Sequence, residues 1–147
     1  MEYDISKIKT AGLWIALILM YIYADIFSFY RTGYLEEVAA GYLGPLLVDQ
    51  KVLLLSGMLM LIPILMIIVT LFVNDSVGNW INIAAGILYT AVGIGNLAGE
   101  QWLYYWLYGI VELIITVMII CIAVKKMRKR MRQERCRPDG YGENGNG

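Results

Sequence analysis

Two carboxylates stand inside long apolar runs, and they are the residues of this chain best suited to chemistry. Asp25 lies in the run 10–30 and Glu112 in the run 102–124, and neither run contains a lysine or arginine to pair with them. An ionised side chain at the centre of a membrane helix costs at least ~2.5–3.5 kcal/mol on insertion scales, so such groups face a bundle interior and mark a site. At ~1.5 Å rise per residue, Asp25 falls roughly 7–8 Å below the boundary set by Tyr30, and Glu112 roughly 15 Å below that set by Trp102. Polar neighbours recur at helical spacing: Tyr105, Tyr108 and Glu112 share a face, as do Tyr21, Asp25 and Ser28. Asn82, Gly86, Tyr89, Gly93, Asn96 and Glu100 follow one another at intervals of 4, 3, 4, 3 and 4. The same arithmetic predicts Tyr89 level with Glu112, and Asn96 closer to the level of Asp25. Two readings compete. In one, Asp25, Tyr89, Asn96, Tyr108 and Glu112 line a pocket open toward the outer face that binds a small amphipathic or cationic ligand or carries a proton. In the other, the carboxylates hydrogen-bond to tyrosine hydroxyls and fix helix register, through contacts that average only ~0.6 kcal/mol.

The elements that position these residues follow from composition. Of 147 residues, 59% are hydrophobic and 16% charged, with a mean hydropathy of +0.62. Soluble domains run about 45–50% apolar and about 25% charged. A chain of this length hides only about 68–70% of its unfolded surface, so the excess cannot all be buried and the solvent must itself be apolar. That excludes a soluble enzyme, a nucleic-acid-binding domain and a disordered chain. Spanning a bilayer core of about 30 Å takes about 20 apolar residues, and four runs qualify: about 10–30, 51–73, 79–99 and 102–124. The shorter alternating segments of a membrane β-barrel are not seen. The expected fold is all-α, a four-helix transmembrane bundle over residues 10–124, with an N-terminal tail 1–9 and a basic, then disordered tail 125–147. The first run is too long for a signal-peptide core and lacks a small-residue cleavage site, so it is expected to be retained. Ten of the twelve basic residues lie with the termini and only Arg31 and Lys51 lie opposite, which predicts both termini in the cytoplasm of a prokaryotic cell.

The connections and the second run add detail. Asn74–Asn79 is predicted as a short polar turn, and Leu35–Ala40 as a short interfacial helix in the long outer loop that also holds Gly44-Pro45. Pro63 should leave the Leu59 carbonyl without its intrahelical donor. Met58, Met60 and Met66 read as filler, and Gly86, Gly93 and the pair Gly95 and Gly99 as close-packing positions. Beyond Pro138 the chain is rich in Gly and Asn.

The inventory of absences is equally informative. With no His, and with only Cys121 and Cys136 as thiols, no metal site, haem or other cofactor is expected. Nucleophile and phosphate-binding motifs are missing as well, so enzyme activity is disfavoured; acid–base work on a lipid by the two carboxylates ranks last among the functions. Lys125–Arg132 reads as an extension of the fourth helix into anionic lipid headgroups rather than a nucleic-acid site. The bilayer, a second copy of the chain or another membrane protein are the partners expected. As an alternative to a pocket, the chain would be a non-catalytic accessory subunit of a membrane complex.

Tyr23-Ala24-Asp25-Ile26, Ile62-Pro63, Asn82-Ile83-Ala84-Ala85-Gly86, Tyr104-Tyr105 and Gly109-Ile110-Val111-Glu112 occur in this order along the chain. In these motifs, over roughly 13–124, the chain resembles an uncharacterised family of small four-span membrane proteins of bacteria and archaea, a domain of unknown function. In layout it is also distantly similar to the DoxX-like four-helix membrane proteins. The resemblance implies the four-span fold and brings no established activity, while placing Asp25, Asn82, Gly86 and Glu112 in the family pattern.

Overall fold

Residues 5–43, 46–98 and 100–135 are described by a computed structural model. Gly44-Pro45, Gly99, Cys136, Pro138 and the Gly- and Asn-rich end of the chain lie outside the described residues. Helix α1 covers Ile5–Ser28, α2 Tyr34–Ala39, α3 Gln50–Phe72, α4 Asp75–Leu97 and α5 Leu103–Arg135. Two-residue strands β1 (Tyr42–Leu43) and β2 (Leu46–Leu47) pair antiparallel in the long loop. The fold is thus all-α in its body, and four helices, α1, α3, α4 and α5, are long and apolar enough to cross a membrane. Basic residues after 124 do continue the last helix, which runs on to Arg135.

Each long helix buries a narrow seam. On α1, Thr10, Trp14, Leu17, Ala24 and Ser28 are buried, and half-buried Tyr21 fills the gap. Two positions in every seven is the spacing that keeps one face of a helix against its neighbours. Asp25 sits one residue, about 100°, beyond that seam and is exposed. The expected inward face of Tyr21, Asp25 and Ser28 is therefore corrected to Tyr21, Ala24 and Ser28. On α5 the seam is Gly109, Glu112, Thr116, Ile119 and Ala123. Helix α3 buries only Pro63, Met66 and Thr70, so Met66 belongs to the core while Met58 and Met60 face outward.

Helix α1 packs on α3 and α5, and α4 packs on the same two. Across the diagonal, α1 and α4 meet through Tyr89, whose ring centroid is 5.8 Å from Trp14 and 6.2 Å from Tyr21. Tyr89 and Trp14 are fully buried, in a core shared with Leu17, Met66, Ala85, Ile115 and Ile119. The Tyr89 hydroxyl donates to the Leu59 carbonyl, the acceptor that Pro63 leaves without an N–H donor. One helix's break is repaired by another helix's side chain.

A second tie joins three helices at Asn82. Its Oδ1 accepts from Trp14 Nε1 at 2.8 Å and from the Thr70 hydroxyl at 3.1 Å, while its Nδ2 donates to the Gly78 carbonyl at 2.8 Å. Close glycine contacts join α4 to α5: a Cβ on Gly86 would meet Ile120 at 2.7 Å, and one on Gly109 would meet Leu97 at 2.4 Å. Gly95, by contrast, is exposed, and a Cβ there would meet nothing within 4 Å among the described residues.

The start of α1, the end of α3, the start of α4 and the basic stretch of α5 lie at one end of the bundle. Lys7 Nζ donates to the Val73 carbonyl at 3.0 Å and pairs with Asp75 at 3.1 Å, and Lys126 pairs with Asp75 at 3.0 Å. Helix α4 begins at Asp75, so the expected turn over 74–79 narrows to Val73-Asn74. An acidic residue in the first turn suits the positive end of the helix dipole. At the long loop, α2 replaces the expected helix with a shift of one residue and buries nothing. Gly33 and Gly41 flank it with φ of 82° and 84°, a backbone region that glycine occupies without strain. Replacing Asn82 with Ala removes the acceptor for Trp14 and Thr70 and should destabilise the protein by about 1–3 kcal/mol. Thermal unfolding in detergent checks this, with exposed Leu53→Ala expected to leave the midpoint unchanged.

Candidate functional site

Glu112 is placed by the α5 seam, one turn below Gly109, and is only 6% exposed. Its carboxyl meets α1 and α4 at once. The Tyr21 hydroxyl donates to Glu112 Oε1. On the α4 side Gly93 makes the room, since a Cβ there would stand 2.8 Å from Oε1 and 3.0 Å from Cδ. Glu112 is therefore level with Gly93, about one turn from Tyr89, rather than level with Tyr89 as the span arithmetic predicts. The cause is the α4–α5 connection. Leu97 lies against Gly109, so roughly the first one and a half turns of α5 rise beyond the end of α4.

Above Glu112, toward that end, a small cleft is lined by Tyr21, Asn96, Tyr105, Tyr108, Gly109 and Glu112. Its volume is about 20 Å³, room for one water molecule and no more. Of the residues singled out from sequence, Glu112, Tyr108 and Asn96 line this cleft together, Asn96 from an otherwise exposed position. Tyr89 sits below it in the core. Asp25 does not line it.

At the end where α4 meets α5, a loop residue joins the two helices' connection to α1. Arg31, between α1 and α2, donates from Nε to the Tyr104 hydroxyl at 2.5 Å and from a terminal nitrogen to Glu100 at 3.1 Å. Its guanidinium carbon lies 5.4, 5.1 and 5.2 Å from the ring centroids of Trp102, Tyr104 and Tyr105. Burial by itself would lower the pKa of Arg31, but the hydrogen bonds to Tyr104 and Glu100 and the charge of Glu100 outweigh it and raise it. Glu100 uses its other oxygen to accept from the backbone N–H groups of Gln101 and Trp102 at 3.0 and 3.1 Å, and its carbonyl accepts from Trp106 Nε1 at 3.0 Å. The Ser28 and Tyr104 hydroxyls lie 3.1 Å apart, extending the network to α1.

Sequence reasoning placed Tyr21 and Gly93 on the right stripes without recognising them as the groups that hold Glu112. The signal was present in the repeat of Trp14, Leu17, Tyr21, Ala24 and Ser28, which marks the true seam of α1. Arg31 gave no such signal, and the stripe that included Glu100 did not point to it, since α4 ends at Leu97 and Glu100 lies in the connection beyond.

Residues 2–132 match the model of a family described as Family of unknown function (DUF6326). The chain belongs to the DUF6326 family. Among curated proteins and solved structures, none matches this DUF6326 chain. A test of its site geometry is the pair Gly93→Ala and Gly95→Ala. The first should destabilise by about 1–3 kcal/mol through the clash with Glu112, the second should change stability by under about 0.5 kcal/mol, and detergent unfolding curves of the two separate them.

Proposed function

We propose that this DUF6326 protein is an integral membrane protein whose Glu112 binds and releases a proton inside the bundle, from the outer end, in proton-linked transport. The observation that carries this reading is the buried Glu112 carboxyl, held by Tyr21 and bordered by a cleft the size of one water. An uncompensated charge among apolar helices is costly, so a carboxyl there trades its charge for a proton. A one-water cleft suits a proton or hydronium better than the organic ligand that the wider pocket would hold. Tyr108 and Asn96 would orient the water. Asp25, outside the cleft, would serve at the outer surface or at a contact with a second copy.

The excess of Lys and Arg with the termini supports an orientation with both ends in the cytoplasm, and a prokaryotic cell membrane as the location. Likeness to the DoxX-like proteins rests on four-helix layout alone. A second reading, an accessory subunit of a membrane complex, draws on α3, most of whose residues face outward. A stoichiometric foreign protein in a detergent pull-down would favour it.

The test is proton flux into liposomes carrying the purified protein and an internal pH-sensitive dye. Wild type should exceed empty liposomes, and Glu112→Gln should return flux to the empty-liposome rate with the unfolding midpoint nearly unchanged. A loss of midpoint as large as the loss of flux would make Glu112 a structural residue, and wild-type flux no higher than background would end the transport reading.

A further inference from the structure

Helix α5 has 33 residues, about 50 Å at ~1.5 Å per residue, against a hydrocarbon core of about 30 Å. Its excess length projects from the end of the bundle where α1 begins. On this stretch Lys125, Lys129 and Gln133 follow at four-residue intervals, with Lys126 and Arg130 beside them, so all five share one broad face. Lys125, Lys129, Arg130 and Gln133 on that face are exposed. The face lines a cleft with Ser6 and Lys9 of α1 and with Asp75 and Asn79 of α4. The cleft is an open hollow of about 650 Å³.

Its charge is one-sided. Among the described residues, Lys9, Lys125, Lys126, Lys129 and Arg130 line it with one carboxylate, Asp75, which is already engaged by Lys7 and Lys126. Lys9, Lys125 and Lys129 have no ion-pair partner among the described residues. Cations gathered around a concavity repel one another unless an anion lies between them. At the inner wall of the cleft stands Ile122, where α5 passes from its basic stretch to its apolar one. An anion bound there therefore has an apolar surface running away from it along the helix.

We infer that this cleft binds the headgroup of a membrane phospholipid that carries two phosphodiester charges, with its acyl chains running along α5. The contribution of Lys9 separates it from a diffuse basic tail. Lys9 and Lys129 are far apart in sequence and meet only in the folded bundle, whereas Arg128 and Arg132 lie on another face of α5, in a separate surface hollow with Met131 and Arg135. Nothing in this assignment depends on the role of Glu112.

The experiment uses full-length protein in nanodiscs of neutral lipid doped with cardiolipin or, at equal total charge, with phosphatidylglycerol, and reads lipid retention by native mass spectrometry. Lys9→Gln/Lys129→Gln should weaken cardiolipin retention by about tenfold or more, and Arg128→Gln/Arg132→Gln, with the same change in charge, by less than about twofold. Retention of phosphatidylglycerol should be weaker than that of cardiolipin, and inorganic pyrophosphate should not displace the bound lipid. Equal losses in the two double variants, or none in either, would overturn the cleft. Displacement by pyrophosphate at matched concentration would keep the phosphate chemistry and overturn the lipid as its source. Unfolding midpoints of the four-residue set report whether any loss reflects misfolding; a lowered midpoint in Lys9→Gln/Lys129→Gln with retention unchanged also counts against the site.

Discussion

A polar group packed among apolar helices has no water to bond, so it must be satisfied by another part of the same chain or lose its charge. The interior of this bundle is organised around that constraint. Pro63 frees the Leu59 carbonyl of α3, and the Tyr89 hydroxyl of α4 supplies the missing donor. Tyr89 thereby holds its ring where Trp14 and Tyr21 of α1 can pack on it. Tyr21 in turn reaches past the core to the Glu112 carboxyl of α5. A backbone defect, an aromatic cluster and a buried acid thus form one connected chain of dependence through four helices.

Charge is dealt with at the two ends of the bundle. Arg31 and Glu100 clamp the end where α4 meets α5, inside a wall of aromatic rings. Lys7, Asp75 and Lys126 tie α1, α4 and α5 at the other. Between these clamps Glu112 is the buried carboxylate among the described residues, and the small cleft beside it lies on the side of the α4–α5 connection.

How much of this could be read from the sequence depended on whether a signal was periodic. The four long helices and the buried stripe of α4, with Asn82, Gly86, Tyr89 and Gly93, follow from apolar runs and intervals of three and four. The unsatisfied carbonyl at Leu59 follows from Pro63 by covalent chemistry alone, although its partner does not. Asp25 is the instructive failure. It shares helical spacing with Tyr21 and Ser28, yet the neighbouring Ala24 occupies the seam, and a difference of about 100° in azimuth decides between interior and exterior. Heights failed for a related reason: the α4–α5 connection climbs along the bundle axis, which shifts Glu112 from Tyr89 to Gly93. Contacts among loop and end residues, such as Arg31 with Glu100 and Lys7 with Asp75 and Lys126, depend on tertiary placement that no local pattern encodes.

The claim at the centre of this account is that Glu112 exchanges a proton with water at the Arg31 end of the bundle. Infrared difference spectroscopy of the protein in bilayers, stepped in pH on one side at a time, reads this most directly. The account predicts a carboxyl band that responds to pH on the side where α4 meets α5 and vanishes in Glu112→Gln. A band that stays fixed whichever side is titrated, or that persists in Glu112→Gln, would contradict it.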